Sequence, residues 1–133
     1  MTTGSLENRP SGSTRFSRAI RRRCPHCGCR SVFRRWLLLR PTCPDCGLRF
    51  NRGEPGYFLG AIWINLLLAE SLSMAVIFTV IVRSWPTPPW STLSWTAPLE
   101  ALIAPFILFP FSKTLFLAFD MGIRPVGPKD FLA

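Results

Sequence analysis

The sequence predicts a small membrane protein in which a cysteine-rich N-terminal module precedes a hairpin of two transmembrane helices. Three observations support this fold class. Two near-copies of one pentapeptide, CPHCG and CPDCG, lie at residues 24–28 and 43–47. Two long apolar stretches follow residue 56, and the first 56 residues carry twelve arginines against three acidic residues. The rest of the chain has four basic and four acidic residues, so the formal charge of +9 belongs to the N-terminal part.

The segment before the cysteines is polar. Residues 1–19 are rich in Ser, Thr, Gly and Arg and contain few apolar side chains. Segments of this composition bury too little apolar surface to offset the conformational entropy that folding removes. We therefore expect residues 1–19 to form a disordered basic tail.

Four cysteines have the spacing of a zinc ribbon. Two residues separate Cys24 from Cys27 and Cys43 from Cys46, and fifteen lie between the pairs. Tetrahedral zinc binds four thiolates at about 2.3 Å, and each C-x-x-C turn supplies two of them. Within each pair a proline fixes φ, and a glycine after the second cysteine permits the positive φ that bends the chain around the metal. The pattern predicts a zinc ribbon over residues 20–52, which is a short β-hairpin carrying two zinc knuckles.

Other uses of these cysteines fit less well. A rubredoxin-like iron site has the same four ligands and stays an alternative. Disulfides are disfavoured in a reducing cytoplasm, and two matched pairs differ from the single C-x-x-C of a redox motif. Cys29 lies outside the two pentapeptides and is expected to be spare. Four thiolates leave zinc no open position, and the chain contains one histidine and no nucleophile–base motif, so we expect no enzymatic activity.

The first apolar stretch predicts a membrane-spanning helix over residues 57–82. Its 26 residues contain one charged side chain, Glu70. A helix of about 20 apolar residues crosses a hydrocarbon layer of about 30 Å. A buried helix in a soluble protein rarely stays apolar on every face over such a length.

The second stretch predicts a proline-kinked span over residues 97–119. Pro105 and Pro110 each remove a backbone hydrogen bond inside it, and a re-entrant segment is the alternative. Residues 83–96 hold three Trp and three Pro, which predicts an interfacial loop because indole rings favour the headgroup region. The excess of arginine before the first span predicts that this loop lies outside, whereas the N-terminal module and the tail, residues 120–133, lie in the cytoplasm.

Three polar side chains within the spans form a candidate intramembrane site: Asn65, Glu70 and Lys113. An ionised carboxylate deep in a bilayer is costly, so we expect Glu70 either to stay protonated at a helix interface or to contact a proton or a partner. Lys113 lies about 9 Å from the inner end of its span and is expected to reach the headgroups.

An apolar strip in the ribbon is a candidate partner surface. It comprises Phe33, Trp36, Leu37, Leu38 and Phe50. This strip favours an adaptor that contacts a membrane-protein complex, and packing on the ribbon itself or on lipid is the competing interpretation. Nucleic-acid binding by the ribbon is the alternative function, because arginines bind phosphates. It is the weaker one, since a cytoplasmic position beside a membrane already accounts for the arginines.

These features occur in an order that resembles a known family. CPHCG, VFRRWL, CPDCGLRF and GEPGYFLGAIW are followed by a proline-broken span that ends FPFSKTLFLAFD. Over about residues 20–128 the chain is similar to small bacterial inner-membrane proteins that share domain of unknown function 983. The resemblance implies a cytoplasmic zinc ribbon fused to two transmembrane helices, with no established activity. Genes of the family often lie near those for haem-copper oxidase assembly, which implies a role in the biogenesis of respiratory complexes.

Overall fold

Two long antiparallel helices dominate the structure. The computed structural model describes residues 10–131, and its helices are α1 (Gly12–Ile20), α2 (Leu59–Arg83) and α3 (Trp90–Ile123), followed by a 3₁₀ turn at Pro128–Asp130. Both α2 and α3 are long and apolar enough to cross a membrane. Only 11% of the most apolar stretch of α2 is buried within the chain, whereas a core helix of a soluble protein is mostly buried.

Helix α1 contradicts part of the predicted disordered tail. The prediction is wrong for residues 12–19, which are helical and begin after an N-cap at Ser11. Ala19 is fully buried, and Arg15 Nη1 donates a hydrogen bond to the carbonyl of Met121 at 2.6 Å. These contacts with α3 offset the conformational entropy lost when the segment becomes helical, which its own few apolar side chains do not offset. The first nine residues of the predicted tail lie outside the described residues.

The connection between α2 and α3 is shorter than the predicted loop over residues 83–96. Six residues, 84–89, connect the two helices, because α3 already begins at Trp90. The N–H of Leu93 donates to the carbonyl of Pro89 at 3.0 Å, which starts the helical turn. Prolines immediately before a helix do not interrupt it, so the Trp- and Pro-rich composition concealed the first two turns of α3.

Helix α3 continues through Pro98, Pro105 and Pro110. Near the two inner prolines, α2 supplies a polar side chain. Asn65 Nδ2 donates to the carbonyl of Pro105 at 3.1 Å, and Asn65 Oδ1 accepts from Ser112 Oγ at 3.1 Å. A neighbouring helix thus provides hydrogen bonds where prolines disturb the backbone, as expected for apolar surroundings.

The cysteine-rich module forms two knuckles, and the predicted β-hairpin is not confirmed. Between residues 10 and 131 the structure contains no continuous strand, and three isolated antiparallel bridges pair Phe33 with Leu39, Thr42 with Arg49, and Leu48 with Phe131. The N–H of Phe50 donates to the carbonyl of Pro41 at 3.0 Å, but Pro41 has no N–H to return. A hairpin ladder therefore stays unconfirmed, because proline and the tight cysteine turns leave few consecutive residues to pair.

The core of the module includes residues from α3. Its buried side chains are Cys24, Val32, Cys43, Leu48, Phe50, Tyr57, Leu117 and Met121. The last two belong to the final turns of α3. The predicted tail over residues 120–133 begins within α3, which ends at Ile123. The described residues after α3 pack back, because Val126 and Phe131 lie against this core. The module therefore shares one apolar core with the end of the helical hairpin at which α2 begins and α3 ends.

Gly60 permits close packing of α2 against α3 and gives a test of the fold. A Cβ atom at Gly60 would lie 2.2 Å from Phe116 Cε2, and the ring of Phe116 is held at 5.1 Å from that of Tyr57. We expect Gly60→Ala to destabilise the protein by about 1–3 kcal/mol through this overlap. Thermal unfolding of the purified chain in mild detergent measures the effect.

Gly122→Ala is the matched control, because no atom lies within 4 Å of the Cβ position at Gly122. Replacement of a helical glycine by alanine at an open position should be neutral or stabilising by about 0.5–1 kcal/mol. Equal unfolding temperatures for the two variants would contradict the packing of α2 on α3.

Candidate metal centre

The two cysteine pairs adopt the same backbone turn. In the first pair, the N–H of Gly28 donates to the carbonyl of Cys24, and the N–H of Cys24 donates to the carbonyl of Cys29, both at 2.9 Å. In the second pair, the N–H of Gly47 donates to the carbonyl of Cys43 at 3.0 Å, and the N–H of Cys43 donates to the carbonyl of Leu48 at 2.9 Å. Gly28 and Gly47 have φ of 86° and 71°, a region in which other residues are strained. The glycines therefore close both turns as the sequence predicts.

The four sulfur atoms converge on one point. The Sγ atoms of Cys24, Cys27, Cys43 and Cys46 all lie within 4.8 Å of one another. Cys27 Sγ and Cys43 Sγ are 3.6 Å apart. A tetrahedron with metal–sulfur bonds of about 2.3 Å has sulfur–sulfur edges of about 3.8 Å. The four predicted cysteines are thus positioned to bind a metal ion.

The thiols influence one another electrostatically. The hydrogen bond with Cys27 raises the pKa of Cys24 above its ordinary value, and the hydrogen bond with Cys24 lowers the pKa of Cys43. Four thiolates this close would repel one another, and a divalent cation offsets half of their negative charge. Four thiolates also fill a tetrahedral shell, so a bound ion would have no open position for a substrate. The donor set is that of a structural metal site.

Cys29 is not part of the cluster. Its sulfur accepts a hydrogen bond from the N–H of Ser31 at 3.3 Å and packs beside the core. Burial raises the pKa of the Cys29 thiol to about 11, which keeps it protonated near neutral pH. This position agrees with the prediction that Cys29 is spare.

Helix α1 and the C-terminal segment hold the two knuckles from outside. Arg18 Nη1 donates to the carbonyl of His26 at 2.5 Å, inside the first knuckle. The ring of His26 meets that of Phe131 edge-on at 5.4 Å, and the N–H of Arg49 donates to the carbonyl of Asp130 at 2.8 Å. His26 is therefore a contact of the C-terminal segment and lies outside the four-sulfur cluster.

A buried charge cluster joins the module to the helices, and the sequence did not predict it. Asp120 accepts a 2.6 Å hydrogen bond from the hydroxyl of Tyr57 and pairs with Arg52 Nε at 3.2 Å and Arg124 Nε at 2.9 Å. The side chains of Arg52 and Asp120 are only 9% and 8% exposed. Arg124 also pairs with Glu54 at 2.9 Å, where both side chains are half exposed.

Tyr57 is a fixed donor in this cluster. Burial raises its pKa far above the ordinary value, and the carboxylate of Asp120 acts in the same direction. The phenol therefore stays protonated and donates. Two sequence features could have indicated this cluster. One is Asp120 at the end of the second apolar stretch, and the other is the GEPGYF segment at the start of the first stretch. Arginine in both flanking segments was interpreted as membrane orientation rather than as ion pairing.

The three residues of the candidate intramembrane site do not meet. Asn65 bonds to Ser112 and to the backbone of α3. Lys113 Nζ donates to the carbonyl of Leu37 at 2.8 Å, which attaches it to the cysteine-rich module. Glu70 lies exposed on α2. A single site formed by these three side chains is therefore wrong, because each has a different environment.

Four of the five predicted partner-contact residues reach the surface at least in part. Trp36, Leu37 and Leu38 are exposed, and Phe33 is half-buried. The assignment of Phe50 to this surface is wrong, since its side chain is 0% exposed. Phe50 follows the second knuckle, so its ring points into the core beside the cysteines.

Comparison with protein families locates the chain among known sequences. A family model described as "Protein of unknown function (DUF983)" matches residues 33–121. The match covers the second cysteine pair, all of α2 and all but the last two residues of α3, and it begins after the first pair. No curated protein and no solved structure matches the chain. Because the match covers well over half of the chain, the protein belongs to the DUF983 family, as its motifs predicted.

Proposed function

We propose that the protein is a non-enzymatic adaptor of the bacterial cytoplasmic (inner) membrane that docks onto a larger membrane-protein complex through α2. A structural zinc ion holds its cytoplasmic module in shape. The observation that carries this proposal is the exposed position of Glu70 on a helix long enough to cross a membrane.

Glu70 requires a partner when α2 spans a bilayer. It lies about 10 Å along the helix axis from Trp63 and about 20 Å from Arg83, well inside an apolar layer of about 30 Å. Within residues 10–131 no side chain forms a hydrogen bond or ion pair with its carboxyl group. A carboxyl group in lipid is costly, and a helix of another protein that supplies a donor removes the cost. The exposed surface of α2 gives such a helix room to pack.

The proposed topology places both ends of the described chain in the cytoplasm. The arginines cluster before α2, and residues 84–89 carry no basic side chain. The positive-inside rule orients such a hairpin with the arginine-rich side in the cytoplasm. A reducing cytoplasm also keeps the four clustered cysteines available as metal ligands.

Zinc is the metal that fits this role best, with iron as the competing ion. The four cysteines form a closed thiolate set, and a module of this size depends on such a crosslink. The association of the family with haem-copper oxidase assembly makes a respiratory complex under construction the first partner to examine.

The arginines support the adaptor over nucleic-acid binding. Arg15, Arg18, Arg22 and Arg52 each donate to a backbone carbonyl within the chain. These side chains are therefore less available for phosphates than the composition indicates. The remaining positive charge is accounted for by a cytoplasmic position beside an anionic membrane.

Substitution of Glu70 tests the docking surface. Glu70→Leu removes the hydrogen-bonding group while α2 stays apolar, so we expect stoichiometric recovery of a membrane partner in mild detergent to fall several-fold. Glu70→Gln keeps a hydrogen-bonding side chain and should retain more of the partner. Quantitative mass spectrometry after affinity purification from native membranes measures both.

Val76→Ala is the control, because Val76 is exposed on a different face of α2. It should leave recovery of the partner unchanged. Recovery that is independent of Glu70, or repeated recovery of the chain alone or as a homo-oligomer, would contradict docking through this face.

Removal of a cysteine ligand tests the metal. Cys24→Ser and Cys46→Ser should lose most of the bound zinc and make residues 20–52 protease-sensitive, because metal binding supplies on the order of 10 kcal/mol to such a module. Both variants should still resist carbonate extraction from membranes, since the two helices need no metal to stay inserted. Elemental analysis and limited proteolysis of membrane preparations provide the measurements.

Cys29→Ser is the matched control and should keep one zinc ion per chain, because Cys29 lies outside the cluster. Loss of the metal from this variant would overturn the assignment of the first knuckle. Iron in place of zinc in the parent protein would overturn the choice of metal and leave the ligand set intact.

A further inference from the structure

An exposed apolar loop projects from the cysteine-rich module. Residues 34–38 form this loop, termed the ribbon tip, which is closed by a 2.8 Å hydrogen bond from the N–H of Arg34 to the carbonyl of Leu38. Trp36, Leu37 and Leu38 are 53%, 38% and 53% exposed. Exposure of three adjacent apolar side chains to water is energetically unfavourable. The ribbon tip therefore indicates contact with a membrane or with another protein.

The ribbon tip lies against α3. Lys113 Nζ donates to the carbonyl of Leu37 at 2.8 Å. The guanidinium of Arg22 lies 4.3 Å from the ring centre of Trp36 and 5.7 Å from that of Phe111. These contacts fix the ribbon tip beside residues 111–113, ten residues before the end of α3 at Ile123.

The end of α1 reaches the same level of α3. Thr114 Oγ1 donates to the carbonyl of Ala19 at 2.8 Å. The next residue, Ile20, is 59% exposed. Because Lys113 and Thr114 are consecutive, the ribbon tip and α1 flank α3 at one depth and present apolar side chains there.

This depth corresponds to the inner boundary of a bilayer. Trp63 on α2 is 69% exposed, and the twenty residues from Trp63 to Arg83 extend about 30 Å, the thickness of a hydrocarbon layer. The bond between Asn65 and Ser112 aligns the helices so that Lys113 lies level with Trp63. Exposed indole rings favour this boundary.

Cations surround the apolar side chains. Arg34 and Arg35 are exposed on the ribbon tip itself. Beside them lies a cavity of about 420 Å³ lined by Arg21, Arg22, Arg23, Arg30 and Phe33. Apolar side chains next to a group of arginines match the chemistry of an anionic phospholipid, whose phosphate lies above its acyl chains.

We infer that the ribbon tip and the end of α1 insert into the cytoplasmic leaflet and bind anionic phospholipids. Trp36, Leu37, Leu38 and Ile20 lie among the upper acyl segments. The exposed arginines bind the phosphates, namely Arg21, Arg30, Arg34 and Arg35. Lipid is the occupant because this surface is continuous with the exposed faces of α2 and α3 at the same depth. The inference rests on the proposed topology and is independent of docking through Glu70.

A photoreactive residue tests the occupant. The zinc-loaded full chain carries p-benzoylphenylalanine in place of Leu38, in nanodiscs of phosphatidylcholine and phosphatidylglycerol. Irradiation should yield lipid adducts, detected by mass spectrometry, at several times the yield obtained with the probe in place of Lys129. Lys129 is exposed and lies six residues beyond the end of α3. Equal yields at the two positions, or a protein adduct at position 38 in native membranes, would overturn the inference.

A second measurement tests whether the arginines select anionic phospholipid. With the Leu38 probe, the ratio of phosphatidylglycerol adducts to phosphatidylcholine adducts should exceed the molar ratio of the two lipids roughly fivefold. Arg34→Gln combined with Arg35→Gln should lower this enrichment, and unchanged enrichment would remove these arginines from the site. Carbonate extraction of the same variants from cell membranes distinguishes a wrong topology from a ribbon tip that does not insert. A chain that carbonate extracts would refute the topology itself. A chain that stays inserted but forms no lipid adducts would refute only the insertion of the ribbon tip.

Discussion

A carboxylate buried near the C-terminal end of α3 needs compensating donors, and the chain supplies them from both sides of one junction. Tyr57 and Arg52 come from the segment between the second knuckle and α2, and Arg124 follows α3. Loss of one partner from a buried ion pair typically costs about 3–5 kcal/mol, because the remaining charge stays uncompensated. The Asp120 cluster therefore contributes to stability only while the module, the start of α2 and the end of α3 stay in contact.

This junction explains how a module with so few apolar residues is ordered. Leu117 and Met121 of α3 complete the core that contains Cys24 and Cys43. A metal ion bound by the four cysteines would crosslink the two knuckles, whereas the Asp120 cluster fixes their position relative to the helices. The two interactions act on different contacts, so loss of a bound metal would disrupt the knuckles without removing the ion pairs at the junction.

The sequence predicted those features that depend on local spacing. Cys24, Cys27, Cys43 and Cys46 were assigned from two short turns, and α2 from an uninterrupted apolar run, because each pattern is self-contained. Helix α1 was missed because its order comes from contacts with residues about a hundred positions away, such as Arg15 with Met121. The burial of Phe50 and the pairing of Asp120 likewise depend on how the module folds back on α3, which no local pattern encodes. The same limit applies to Trp90, where a composition typical of an interfacial loop occurs on a helix.

The polar side chains of the two long helices differ in whether a hydrogen bond within the chain offsets their cost of desolvation. This difference identifies the surfaces that are open to other molecules. Asn65 is satisfied by Ser112 and the backbone of α3, and Lys113 by the carbonyl of Leu37. Glu70 has no such partner within the described chain, and its face of α2 is open. In the proposed topology, an exposed carboxyl group within the apolar layer needs compensation from outside the chain. Lipid tails offer no hydrogen bond, so we propose a protein partner for this face. The ribbon tip combines apolar side chains with arginines, which match the chemistry of headgroups and acyl chains. The proposed contacts with a membrane complex and with the inner leaflet thus follow from different chemistry at different depths, and neither surface competes with the other.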